Sequence, residues 1–161
     1  MWNNLTLSAV LPAIKDVVDS GNEAMFTPEG RSMKPMLSGG RDKIVLVKPV
    51  YPLKKYDLPL YVRKSGQIVL HRVIKSEKTE NGYVYTMRGD NTYINEPDIR
   101  EEQIAAVVSR FCRKGKWYDV NSNMYKLYVR VWNCIFPFRR FVRFSANLPL
   151  RAVRKIKKQL V

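Results

Sequence analysis

Acidic residues are scarce in the last third of this sequence: after Cys112 there are thirteen Lys and Arg against one acid, Asp119, whereas residues 1–112 hold sixteen against thirteen. Histidine occurs once, at His71, and cysteine only at Cys112 and Cys134. One imidazole and two distant thiols do not supply a ligand set, so neither a metal nor a cofactor is expected. Nor do two cysteines make the dense framework of a small disulfide-stapled fold, and free thiols are the simpler reading. No apolar run approaches the ~18 residues of a spanning helix. The first twenty residues lack a basic leading region and are interrupted by Lys15, Asp16 and Asp19, which argues against a cleaved export signal. A cytoplasmic protein is expected, peripheral at most to the inner face of a membrane. There is no internal repeat and no low-complexity tract.

What the chain does have is enough apolar material for one domain: 161 residues, 45% hydrophobic and 11% aromatic. A net charge of +15 favours an anionic partner. Three regions are expected. Residues 1–23 read as an amphipathic helix, with Leu5, Val10, Leu11, Ile14, Val17 and Val18 at near-helical spacing, Thr6 or Ser8 as the cap and Gly21 past the end. Residues 24–112 break into short β-branched and aromatic runs: 24–26, 43–47, 58–63, 67–74, 83–88 and 104–111. Gly, Pro and Asn separate them, as in a compact, mostly antiparallel β-fold. Asn81-Gly82 is a hairpin signal, because both residues tolerate positive φ, and residues 68–88 are expected to form one hairpin. Residues 113–161 read as basic amphipathic helices broken near Pro137 and Pro149.

Three short motifs could carry chemistry. His71 lies in the strand-like run 67–74 and can take and return a proton near neutrality, or it can be a structural core histidine. Ser32 follows Gly30 by two positions and precedes Pro35, which suits an exposed nucleophile on a sharp turn as well as an ordinary surface turn. Asp90, in Arg88-Gly89-Asp90-Asn91, could fix an imidazole from a strand end or simply form an Asx-turn.

Taken in order, GRSMKPML, VLHRVI, RGDN, NEPDIR and IAAVVSRF resemble the signal peptidase-like superfamily of serine peptidases, which includes type I signal peptidases and the self-cleaving SOS repressors. The resemblance spans about residues 24–112. It implies a mainly β, signal-peptidase-like fold and cleavage of a peptide bond after a small side chain in an extended substrate. Where bacterial signal peptidases and the repressors carry a lysine, this sequence has His71, the Ser/His/Asp pattern of the archaeal and endoplasmic-reticulum enzymes. By that resemblance Ser32 is the nucleophile and its backbone N–H an oxyanion donor. His71 is the general base, and Asp90 the orienting acid, with Glu96 or Asp98 as alternatives. Gly30, Met33 and Pro35 would border the substrate. Gly30 stands where signal peptidases usually offer a serine, and Arg31 where they usually have Gly.

Three functions follow as expectations: a serine endopeptidase acting on a peptide or precursor, a catalytically silent relative that binds an extended peptide as an added strand, and a basic nucleic-acid-binding protein. Retention of Ser32, His71 and Asp90 together favours the first, and the absence of a recognisable binding fold disfavours nucleic acid. Residues 121–161 alternate aromatic and aliphatic residues with Arg and Lys, which suits association with an anionic membrane or a partner, or packing of the aromatics on the β-body with the charges solvated.

Overall fold

The computed structural model describes residues 4–145; the basic stretch around Pro149 and RAVRKIKK lies outside them. The chain divides into two compact units, residues 1–126 and 127–161.

Helix α1 (Asn4–Asp19) starts ahead of Thr6 and Ser8, so those residues lie within the helix instead of capping it. Its end is fixed by Gly21 at φ +85°: the Gly21 N–H donates to Val18 O and the Asn22 N–H to Val17 O, a Schellman closure that satisfies two terminal carbonyls. Ile14 and Val18, one turn apart, are its buried residues.

Among the described residues nine strands follow: β1 (Ala24–Phe26), β2 (Lys43–Val47), β3 (Pro59–Val62), β4 (Ile68–Leu70), β5 (Arg72–Thr79), β6 (Gly82–Arg88), β7 (Glu96–Arg100), β8 (Ile104–Arg113) and β9 (Lys116–Asp119). They form two antiparallel sheets. The first runs β1-β2-β8-β3-β4 with β9 paired to the far half of β8, and the second runs β5-β6-β7. The fold is therefore mainly β, as the short β-branched runs predict. One core cluster draws Tyr61, Val69 and Ile104 from the first sheet and Val73, Tyr85, Met87 and Ile99 from the second, with Leu53 from the loop between β2 and β3. Burying each of these side chains contributes about 1.5–3 kcal/mol, so the packing of one sheet on the other stabilises the fold. Tyr85 remains satisfied there because its hydroxyl accepts the Leu53 N–H at 3.1 Å.

Three expectations need correction. The run 67–74 is not one strand: Leu70 pairs with Leu60 in the first sheet, Arg72 pairs with Arg88 in the second, and His71 is the residue at which the chain changes sheets. The hairpin accordingly covers β5 and β6, not 68–88. Its loop is Glu80-Asn81, between paired Thr79 and Gly82, and only Gly82 takes positive φ, at +105°. Finally, the region beyond residue 112 does not begin as helix. Arg113 and Lys116 pair across a two-residue turn in which Lys114 (φ +50°) and Gly115 (φ +79°) are both left-handed, so β9 continues the first sheet. Helix comes later, as α2 (Asn123–Cys134) and a further helical stretch over 136–145. The break falls at Ile135, just before Pro137, which sits in the first turn of the second stretch.

Candidate active site

The crossover at His71 and the segment leaving β1 line the same cleft, of about 870 Å³, which is bordered by 27–33, the β4 edge 67–70, Arg63, Gly39-Gly40, Thr92 and Val10 of α1. Ser32 is half-buried there. Its position is built by glycine. Gly30 turns at φ +90°, and the loop at Gly39-Gly40 lies directly on it: the Gly39 N–H donates to Gly30 O at 3.2 Å and the Gly40 N–H to Pro28 O at 2.8 Å. A Cβ at Gly39 would fall 2.4 Å from Gly30 N, so no other residue fits without moving the backbone. After Ser32 the chain makes a helical turn that buries Met33, Met36 and Leu37. Gly30 and Met33 border the cleft. Pro35 does not: it is exposed and stands outside the lining.

The loop after β6 ties Ser32 to His71. The Asn91 N–H donates to Ser32 O at 2.7 Å and Asn91 Nδ2 to Arg31 O at 3.3 Å. Gly89 lies between the two candidate residues. A Cβ there would stand 2.7 Å from Ser32 O and 2.8 Å from His71 Nε2. The glycine of RGDN is thus required by a close approach, and the loop is held by Thr92, whose Oγ1 accepts the Gly89 N–H at 3.0 Å.

His71 is 3% exposed. Its Nδ1 is 2.9 Å from Glu96 Oε1, the first residue of β7. Glu96 also accepts from the Tyr61 hydroxyl at 2.9 Å and from Arg63 Nε at 2.7 Å and Nη2 at 2.5 Å. Burial would raise the Glu96 carboxyl, but the Arg63 and Tyr61 hydrogen bonds hold it below its ordinary value. Burial lowers His71, and the nearby Arg63 cation lowers it further against the pull of Glu96. At neutral pH the ring is therefore uncharged. The carboxylate keeps the proton on Nδ1, which leaves the Nε2 lone pair on the side of Gly89 and Ser32. Burial also pushes the Tyr61 hydroxyl up, well above the ordinary phenol range, so it donates to Glu96 at any working pH.

Asp90, the first choice for the orienting acid, serves a different partner. Its Oδ1 accepts from Arg72 Nε at 2.8 Å and its Oδ2 from Arg72 Nη2 at 2.7 Å. Arg72 is completely buried; its Nη1 donates to Tyr56 O and to the Tyr125 hydroxyl, and Nη2 also reaches Met36 Sδ. Although burial opposes its charge, Asp90 holds the guanidinium pKa above its ordinary value. Asp98 is exposed, at φ +61° on β7. Of the three candidate acids, Glu96 is the one at the imidazole. Tyr61, Arg63 and Gly39 complete the arrangement and were not singled out by the sequence, whereas Gly89 lay within the RGDN string; the adjacent pair Gly39-Gly40 is a signal that could have been read.

Among the described residues no group of His, Cys, Asp and Glu is placed to hold a metal ion. Comparison with known proteins returns no matching family model and no matching curated protein.

Proposed function

We propose that the protein is a serine endopeptidase of the signal peptidase-like kind, acting on an extended segment of a peptide or precursor. The observation that carries this reading is the shared cleft: Ser32 and a neutral, carboxylate-bound His71 both border it, and a side chain at Gly89 would run into both. In the proposed reaction Ser32 Oγ attacks the scissile carbonyl carbon while His71 Nε2 takes the hydroxyl proton. The negative charge on the carbonyl oxygen is held by the Ser32 backbone N–H; an oxyanion donor of this kind contributes roughly 3–4 kcal/mol in the transition state. The intermediate collapses, the C–N bond breaks and His71 returns the proton to the leaving amine. Water, deprotonated by His71, then releases the acyl group and regenerates Ser32. Glu96 stabilises the imidazolium formed in each half. The cleft is bordered by the backbone of β4, an edge strand of the first sheet, which suits a substrate laid alongside as an added strand.

The test is cleavage of a library of peptides with small residues by wild type and Ser32→Ala, with mass spectrometry locating the cuts. Cleavage by wild type, reduced at least a thousandfold by the substitution, is the expected outcome. Processing by purified Ser32→Ala at the original rate would overturn the mechanism.

A further inference from the structure

The second compact unit presents a surface that the endopeptidase reading does not use. Two helical hydrogen bonds bridge the break at Ile135, whose N–H donates to Val131 O at 3.1 Å while its carbonyl accepts from the Arg139 N–H at 3.0 Å, so the two stretches keep one helical phase. With 3.6 residues per turn, Leu127, Val131, Ile135, Phe138 and Val142 fall on one face. All five are between 40% and 69% exposed. Large side chains left in water along four turns, on one stripe, mark an interaction surface.

The charge of this unit narrows the partner. Residues 121–161 contain ten Lys and Arg and no Asp or Glu. An exposed helix ordinarily balances its cations with carboxylates one turn away, and none occurs here. Two of the arginines lie against aromatic rings: the Arg139 guanidinium is 3.5 Å from the Trp132 ring centre, and that of Arg140 is 5.6 Å from the Phe144 ring centre. The segment offers no carboxylate side chain of its own as counter-charge. A second copy of a chain with net charge +15 is a poor source of it. A nucleic acid would neutralise the arginines but leave the apolar stripe in water. An anionic bilayer meets both demands, with acyl chains under the stripe and headgroup phosphates beside the guanidinium groups. Among the described residues no helix is long and apolar enough to cross a membrane, so the segment would lie in the plane of the interface.

We infer that residues 127–145 dock the protein onto the headgroup layer of an anionic membrane. This inference stands apart from the peptidase reading, since it is measured without any cleavage. The experiment is co-sedimentation of the full chain with phosphatidylcholine vesicles, with and without phosphatidylglycerol. Vesicles containing phosphatidylglycerol should be bound, and neutral ones at least about tenfold more weakly. Val131→Ser/Phe138→Ser should weaken binding by about tenfold or more. Arg139→Gln/Arg140→Gln/Arg143→Gln keeps the apolar stripe and should lose the preference for anionic lipid. Circular dichroism of each variant identifies any that fails to fold. Equal binding of both vesicle types by wild type, or wild-type binding by both variants, would overturn the inference. So would self-association, or oligonucleotide binding, that is sensitive to the serine substitutions in a protein that ignores vesicles.

Discussion

His71 and Arg72 are neighbours in the chain, both are buried, and each is met by one carboxylate, yet the two clusters are built for opposite ends. At Arg72 the two-point Asp90 contact is joined by Tyr56 O, the Tyr125 hydroxyl and Met36 Sδ, so the guanidinium is enclosed by protein groups. Its charge is permanent and its partners come from four separate parts of the first unit. At His71 the carboxylate engages only Nδ1, and the Nε2 edge borders Gly89 and the cleft. The pair Arg72–Asp90 therefore reads as a lock and the pair His71–Glu96 as a tuned base. Consecutive residues at the crossover point to different neighbourhoods, and that alternation assigns each its own acid.

The comparison breaks most sharply at the two carboxylates. Glu96→Gln keeps the shape of the side chain but removes the charge that holds His71 in its tautomer and stabilises its imidazolium. Cleavage should fall by about 10³–10⁴ in kcat, by analogy with the effect of neutralising a triad aspartate. Asp90 is the other half of the contrast, and its removal should act on stability. Asp90→Ala leaves a buried guanidinium without its carboxylate, which costs about 3–5 kcal/mol. For a chain of this size that corresponds to a drop in Tm of roughly 10 °C. Replacing both partners, as Arg72→Leu/Asp90→Leu, should recover much of the loss, because no uncompensated charge then remains buried. Calorimetry and initial rates on the same preparations separate the two roles. If Glu96→Gln cleaves normally while Asp90→Asn is inactive at unchanged Tm, the assignment of lock and base is reversed.

The sequence revealed the residue types of this site more readily than their pairing. Ser32, His71 and a short set of acids were visible because glycine, serine and a lone histidine stand out in a β-rich chain. The choice of Asp90 rested on its place in RGDN, whereas the decisive fact is the change of sheets at His71, which no local pattern in 67–74 discloses. Ile68 to Leu70 and Val73 to Ile74 are apolar on both sides of the His71-Arg72 pair, so the pattern reads the same whether it is one strand or two. Strand β7 was missed for a related reason: Glu96-Pro-Asp-Ile-Arg100 has strongly charged residues and a proline, and its pairing with β6 comes from tertiary context. The β8–β9 hairpin was hidden because lysine, not asparagine, occupies the left-handed position before Gly115. In contrast, α1 was legible from its helical spacing, and β2 and β8 from their short β-branched apolar runs, which are buried on both faces over 44–46 and 104–106.

The smallest effect tests how the base is tuned. Burial is the first cause that lowers His71 and the Arg63 cation is another, while Glu96 pulls the other way. Arg63→Gln removes the cation and leaves the carboxylate, so the folded-state pKa of His71 should rise toward its unfolded value of about 6.5. Because the chain has one histidine, its ring signals in a proton–carbon NMR titration report this group without assignment. The linkage has a definite sign. A lowered folded pKa means that the unfolded chain takes up the proton first as pH falls, so wild type loses stability from about pH 6.5 down to the folded pKa of His71 and no further from this group. In Arg63→Gln that window should narrow, and the acidic limb of kcat/KM should move to higher pH with it. A downward shift of the histidine titration in the variant would show that Arg63 acts mainly by holding Glu96 at the ring, and the contrast between an enclosed cation and a tunable base would then rest on Glu96 alone.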